Sequence, residues 1–419
     1  MKVTVIGAGS TYTPELVEGL VARHSTLPVT ELLLHDIDAE RLAVLTDLTR
    51  RMVAWSGLDI DVRNSTDLNT AVEAAKFVIL QLRVGQQPAR ILDESIPDRF
   101  DLIGQETTGA GGFSKALRTV PIVRSIAEVV RRRADSDAWI LAFTNPVGIV
   151  TRALLDDGHR AIGLCNVAPG LQRLFGELLG VEPTTIELDH AGLNHLTWVR
   201  SVRVAGREHI HELLAPPLRE TLADRLGLSP QLLEVLGAIP SDYLKYYYHP
   251  DRCIAQQRVS PRATEVLDIE RRLLRMYADP ALAHKPELLA RRGGAHYSEA
   301  AVALMASLYR DDNTLHYVNI RNSDGIIPEL PDDAVVEVPA RMTGGRLQPV
   351  RIRQLPVDIH ALVETVSTYE ALTLQAARSG DRTTALRALL AHPLVRDPDR
   401  AVPLLAALGE AYPGLLPSH

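Results

Sequence analysis

The stretch that most constrains this chain is its first turn. Lys2–Ile6 (K-V-T-V-I) reads as a short buried strand, and it runs straight into Gly7-Ala8-Gly9-Ser10. Thr13-Pro14 then reads as an N-cap with proline at the first helical position. Residues 14–23 carry Leu16, Val17, Leu20 and Val21 at helical spacing. Strand, glycine turn and helix in this order open a nucleotide-binding unit, because glycines let the backbone turn tightly and approach a pyrophosphate resting on the helix N-terminus. The third glycine of G-x-G-x-x-G is absent, since Tyr12 stands there, so a plain tight turn is the competing reading. Asp36 follows a second apolar run, Glu31–His35, and lies 27 residues after Gly9, about where an acidic side chain receives the ribose hydroxyls of NAD. An acid here disfavours the 2′-phosphate of NADP. Its competing role is that of a turn residue in His35-Asp36-Ile37-Asp38. Gly7, Gly9, Ser10 and Asp36 are the candidate cofactor-binding residues.

The alternation continues. Helical spacing covers 39–53 and 118–134, and apolar runs at 77–82, 139–144 and 161–164 read as buried strands, the second ending at Asn145-Pro146. Strands alternating with helices predict an α/β fold, a Rossmann-like doubly wound parallel sheet, over about residues 1–165. Beyond it, 184–188 and Leu196–Val204 look β-like, 219–236 and 298–309 helical, 335–338 and 350–352 like late strands, and 359–377, 382–390 and 401–411 helical. Residues 166–419 are therefore expected to form a mixed α+β domain that closes over the first. A chain of 419 residues can bury roughly 75% of its unfolded surface, usually as about two domains.

Composition excludes more than it suggests. Hydrophobic residues make up 46% and charged ones 23%, a globular balance. The net charge of −7 argues against a general nucleic-acid binder. No run of 18 apolar residues predicts a membrane span. Two cysteines, Cys165 and Cys253, make no disulfide framework, and no signal-like segment opens the chain, so a reducing, cytoplasmic setting is expected.

Three further segments concentrate polarity: G-Q-E-T-T-G-A-G-G at 104–112, Cys165-Asn166 after an apolar run, and G-L-N-H-L-T-W from Gly192 with His195 beside Asn194. A lone Cys is most often a small buried hydrophobe, and a lone His is more often structural than ligating. At these residues, however, the chain resembles family 4 of the glycoside hydrolases, the NAD- and divalent-metal-dependent glycosidases. The resemblance rests on V-I-G-A-G-S-T-Y-T-P-E-L from Val5, I-G-Q-E-T-T-G-A-G-G-F from Ile103 and T-N-P-V-G-I-V-T from Thr144. It continues through I-G-L-C-N-V from Ile162, the Gly192 segment and D-Y-L-K-Y-Y-Y from Asp242, in order along the chain.

The resemblance implies an enzyme outside the two-carboxylate pattern of most glycosidases. Cys165 and His195 match the family's metal ligands, with Mn²⁺ the usual ion; ligand type alone would suit zinc or iron. Tyr243 matches the base. A tyrosine, with pKa of roughly 10, needs a facing cation for that task. The implied route oxidises the sugar C3 hydroxyl with bound NAD⁺, removes the C2 proton, eliminates the aglycone from C1, adds water and returns the hydride.

Asn166 after the cysteine, R-V-G from Arg83 and A-R-I-L-D-E from Ala89 resemble the 6-phospho-β-glucosidase branch. Arg83, Arg90 and Arg262 are then candidates for the sugar phosphate, since a guanidinium fork matches phosphate oxygens; surface ion pairs are the alternative for each. Asn145 and Asn166 would orient sugar hydroxyls. Gln86-Gln87 and Ala168-Pro169 depart from the branch near presumed substrate loops. Family analogy suggests a homodimer or homotetramer. Two rivals stand beside this reading: a 2-hydroxy-acid dehydrogenase using NAD, with Asp189-His190 and Arg90, and a non-catalytic NAD- or sugar-phosphate-binding regulator.

Overall fold

The expected alternation is realised in a computed structural model that describes residues 1–293, 297–328 and 330–416. Strand β1 (Lys2–Ile6) leads to α1 (Thr13–Ala22), β2 (Glu31–His35), α2 (Ala39–Ser56), β3 (Asp61–Ser65), α3 (Leu68–Val72) and β4 (Phe77–Leu80). After α4 (Gln86–Asp98) and α5 (Gly109–Arg133) come β5 (Trp139–Ala142), α6 (Val147–Asp156), β6 (Ala161–Gly163) and α7 (Val167–Leu179). The strands pair in parallel in the order β3-β2-β1-β4-β5-β6. That is the order of a doubly wound dinucleotide-binding sheet, whose ligand crevice opens where the order reverses, between β1 and β4.

Register explains why the polar signals cluster at strand ends. Ile6 pairs with His35 and Leu80, Leu80 with Ala142, and Ala142 with Gly163. One line across the sheet thus marks where these strands stop. The residues just past it are Gly7, Asp36, Gln81 to Arg83, Phe143 to Asn145, and Leu164 to Asn166.

The later residues extend the same sheet. They form β7 (Ile186–Leu193), β8 (Leu196–Val204), β9 (Arg207–Glu208), α8 (Ile210–Leu213), α9 (Leu218–Leu226), α10 (Pro230–Leu236) and β10 (Ile239–Pro240). Helices α11 (Lys245–Tyr248), α12 (Pro250–Val259), α13 (Arg262–Tyr277) and α14 (Tyr297–Arg310) follow. The chain ends through β11 (Leu315–Arg321), β12 (Val335–Thr343), β13 (Arg346–Pro349), α15 (Val357–Ser379), α16 (Arg382–Ala391) and α17 (Pro398–Ala411). β11 lies antiparallel to β6 through Asn319 and Gly163, and β12, β7, β8 and β10 continue outward. Two hydrophobic clusters also straddle residue 165: one joins Phe113 and Val120 to Trp198, Val363 and Leu404, the other joins Leu16 and Leu45 to Leu273 and Met305.

Several local expectations shift. Thr13 is the first helical residue rather than the cap; its hydroxyl donates to the Ala8 carbonyl at 2.8 Å, and Tyr12 holds the cap position. The single helix expected over 219–236 is two, because Gly227 takes a left-handed φ of +69° and Ser229-Pro230 starts a new one. The strand expected at 350–352 lies earlier, at β13, since Gly344-Gly345 makes a two-residue hairpin with Thr343 opposite Arg346.

Candidate active site

A cavity of about 870 Å³ opens over the strand ends. Its wall includes Gly7, Gly9, Ser10 and Asp36, and also Arg83, Arg90, Asn145, Asn166, His195, Tyr243 and Arg262. Cys165, 4% exposed, is buried beside Asn166 rather than on the wall itself.

The glycine turn is built for close approach. Gly7 has φ +87°, and a Cβ there would meet Leu82 Cα at 2.7 Å, so the turn is wedged against the chain leaving β4. The Gly9 N–H donates to Asp36 Oδ2 at 2.8 Å, while Asp36 Oδ1 accepts from the Asp38 N–H at 3.0 Å. Asp36 therefore serves both readings: it sets the turn, and each oxygen keeps a lone pair for a ribose hydroxyl. Arg41 Nε closes the loop on the Gly9 carbonyl at 2.9 Å. A side chain at Gly9 would strike Asp36 Oδ2 at 2.8 Å. This preformed cradle fits a dinucleotide.

A second group surrounds Glu106, which lies in the Gly-rich stretch before α5. Lys115 Nζ stands 2.9 Å from Glu106 Oε2, Arg83 Nη2 donates to Oε1 at 3.1 Å, and Arg90 Nη1 is 3.5 Å from Oε1. Burial alone would raise the Glu106 carboxyl, but Arg83, Lys115 and Arg90 together hold it well below the usual carboxylate range. Burial, then Arg83, pushes Lys115 down to about 8. Three cations against two carboxylates, Glu106 and the Glu94 paired with Arg90, leave one positive charge in excess beside the cavity. Arg90 is also tied to Glu94 at 2.8 Å. Arg262 sits exposed at the rim, bonded to Glu265 Oε2 at 2.5 Å and to the Arg291 carbonyl at 2.9 Å.

His195 arrives from the other half of the sheet. Leu193 pairs with Leu196, so Asn194-His195 is a two-residue hairpin turn between β7 and β8, with His195 at φ +64°. Its ring stacks on Tyr243, centroids 3.6 Å apart and planes 5° from parallel. Burial first, then the Asp242 carboxylate, pushes the Tyr243 phenol well above its ordinary value, so a base role requires a cation in front of it. Burial, then Glu337, likewise pushes the Cys165 thiol well up, and burial drives His195 down to about 4. A thiol and a neutral imidazole are a donor set that a divalent ion would convert to thiolate and ligand. Among the described residues no cluster of three His, Cys, Asp or Glu forms a complete metal shell. Two protein donors leave the remaining positions to substrate hydroxyls and water, so the residues fit such an ion.

Sequence reasoning passed over Glu106 as a hub, Lys115, and a second buried carboxylate, Glu270. Glu270 meets Arg292 Nη2 at 3.3 Å and Arg41 Nη1 at 3.4 Å, and all three line the cavity. The signal for Glu106 was present, as the one carboxylate in the Gly-rich stretch. Asn145 Oδ1 is buried without a hydrogen-bond partner among the described residues, an acceptor on the cavity wall. The dehydrogenase pair does not assemble: Asp189 binds Arg200 at 2.8 Å and His190 binds Glu337 at 2.9 Å, both away from the cavity lining.

Family 4 glycosyl hydrolases match residues 2–181, and the C-terminal domain of the same family matches residues 190–395. The chain belongs to glycosyl hydrolase family 4. It is a glycosidase. A probable 6-phospho-β-glucosidase of Bacillus subtilis (strain 168) is 38% identical over 432 residues, spanning 100% of this chain and 97% of that protein. The structure of the Thermotoga maritima 6-phospho-β-glucosidase with manganese, NAD⁺ and glucose-6-phosphate aligns with TM-score 0.90 and 35% identity, covering 98% of each chain. A phospho-α-glucosidase of Clostridium acetobutylicum is 27% identical over 444 residues, 99% of this chain and 98% of that protein. No helix among the described residues is long and apolar enough to cross a membrane.

Proposed function

We propose that this glycosidase hydrolyses 6-phospho-β-glucosides, such as a cellobiose phosphate, with NAD⁺ and a divalent ion, Mn²⁺ by family analogy, held in the cavity over the strand ends. The observation that carries this reading is convergence. One cavity wall holds the glycine cradle, the stacked His195 and Tyr243, and the cation cluster at Glu106. Asn166 and the higher identity to a β-specific than to an α-specific relative favour the β-branch.

When bound, the nicotinamide supplies a reversible hydride sink and the ion supplies positive charge beside a developing oxyanion. The rest of the work falls to this chain's own side chains. Gly7 and Gly9, lacking side chains, let the pyrophosphate approach the backbone of the turn, the Ser10 hydroxyl donates to it, and Asp36 takes the ribose hydroxyls. Cys165 and His195 hold the ion. Asn145 and Asn166 orient sugar hydroxyls, the free Asn145 Oδ1 accepting one of them. Tyr243, ionised to its phenolate beside the ion's charge, would take the C2 proton once C3 is oxidised; elimination at C1 would then release the aglycone, water would add, and the hydride would return to C3. Arg83 and Arg90, with Lys115 behind them, present their surplus charge to the sugar phosphate, and Arg262 guards the rim.

The assembly we propose is a homodimer or homotetramer working in the cytoplasm, where both cysteines stay reduced and phosphorylated sugars are at hand. The test is hydrolysis of nitrophenyl β-glucoside 6-phosphate with and without NAD⁺ and Mn²⁺. Turnover should need both additions, and the α-anomer and the unphosphorylated β-glucoside should be poor substrates. Losing an Arg–phosphate contact typically costs on the order of 2–5 kcal/mol, so kcat/KM should fall by at least about thirty-fold without the phosphate. Equal or better cleavage of the unphosphorylated sugar would overturn the phosphate assignment.

A further inference from the structure

A histidine can hold a metal only through a ring nitrogen with a free lone pair, so the position of its single hydrogen decides its use. Around His195 that position follows from counting donors. The backbone N–H groups of Thr107 and Thr108 both point at one side-chain atom of Gln105, that of Thr108 at 2.9 Å. Two N–H donors can be met only by an acceptor, so this atom is the carbonyl oxygen Oε1 and not the amide nitrogen. The Thr107 hydroxyl lies 2.8 Å from the same oxygen, and its one hydrogen is given there. Only lone pairs remain on Thr107 Oγ1. His195 Nδ1, 3.1 Å from Oγ1, must then carry the ring hydrogen and donate it. Nε2 keeps the lone pair, has no hydrogen-bond partner among the described residues, and belongs to a ring on the cavity wall. The Tyr243 ring, stacked at 3.6 Å, holds the imidazole plane in this orientation.

We infer that Gln105 and Thr107 are positioning residues that lock His195 in its Nδ1–H form and so keep Nε2 open to a divalent cation. The inference rests on the reading of His195 as a metal ligand. The Gly-rich stretch from one half of the chain thus sets the tautomer of a ligand from the other half. Gly111 allows this packing, since a Cβ there would meet the Gln105 backbone carbonyl oxygen at 2.3 Å.

The test combines two readouts on full-length, NAD⁺-loaded protein. ¹⁵N spectra of histidine-labelled protein without metal, with His195 assigned by difference against His195→Gln, report the tautomer. The signal of free Mn²⁺ in electron paramagnetic resonance reports metal affinity. Wild type and Thr107→Ser should both show His195 with hydrogen on Nδ1 and bind Mn²⁺ alike. Thr107→Val should move the hydrogen toward Nε2 and weaken Mn²⁺ binding about 10- to 100-fold, with NAD⁺ affinity unchanged. Wild type found with hydrogen on Nε2 overturns the inference, whether or not the valine variant folds. So does a valine variant that binds Mn²⁺ as tightly as wild type. Wild type that binds no Mn²⁺ overturns the ligand reading itself, a different failure.

Discussion

At the scale of single residues the proposed chemistry turns on Tyr243. Its phenol is pushed up by burial and by Asp242, so as the bare protein it is a proton donor, and only a facing positive charge can make it a base. Tyr243→Phe should therefore lower kcat about 10²- to 10⁴-fold while NAD⁺ and Mn²⁺ affinities, measured by titration, change little. A phenylalanine variant with near-native kcat would remove Tyr243 from proton transfer. Residue-level signals at strand ends were legible in the sequence because the glycines, Asp36, Asn145 and Cys165-Asn166 each follow an apolar run. The partners of those residues were not legible. Lys115 and Arg83 meet Glu106 across a turn and a helix, and nothing in local spacing records that approach. Arg262 shows the opposite case: its ion pair with Glu265, three residues on, is one that local spacing does record.

At the scale of elements, α15 meets the first turn of α6, which follows the Asn145-Pro146 segment. Glu370 on α15 lies against Gly148, where an added Cβ would stand 2.8 Å from Glu370 Oε1. Burial pushes this carboxyl up to about 8; the charge of Arg152 offsets it only partly, since that guanidinium is bonded to Asp333 at 2.5 Å. The folded protein thus holds a proton that the unfolded chain releases near its ordinary value of 4.5. The contribution is full below pH 4.5 and is lost as pH rises through about 8. Glu370→Gln should raise stability at pH 8 by on the order of 2–4 kcal/mol and do little at pH 4.5, read as unfolding midpoints against pH. An unchanged pH profile would show that the carboxyl ionises freely in the fold. Element boundaries were misread where tertiary demands override propensity. α5 begins at Gly109, through glycines that look like loop, because a Cβ on Gly111 or Gly112 would stand within 3 Å of the Gln105 or Thr107 backbone, so only glycine fits there.

At the scale of the whole molecule, the two family regions share one sheet. β11 hydrogen-bonds to β6 across the expected boundary at residue 165, and two hydrophobic clusters draw on both halves. Calorimetric unfolding of the cofactor-free chain should give one transition whose calorimetric and van't Hoff enthalpies agree for the cooperative unit; two separate transitions would show halves that fold independently. The parallel, doubly wound character of the sheet was legible from alternation, whereas β3, with only Val62 buried, gave no apolar run to read. The antiparallel extension was not, since β11 and β12 gain their places by pairing with distant strands. This joining lets one cavity draw His195 and Tyr243 from one half and the glycine turn from the other.

The same joining is what lets a nucleotide fold cleave a glycoside, and its signature is at C2 of the sugar. A displacement glycosidase never breaks that C–H bond, and a dehydrogenase releases no aglycone. Hydrolysis of a 6-phospho-β-glucoside in D₂O with NAD⁺ and Mn²⁺ should leave deuterium at C2 of the released sugar phosphate, with NAD⁺ required but no NADH accumulating. Aglycone release with no deuterium at C2, or NADH formed stoichiometrically without aglycone release, would contradict the account.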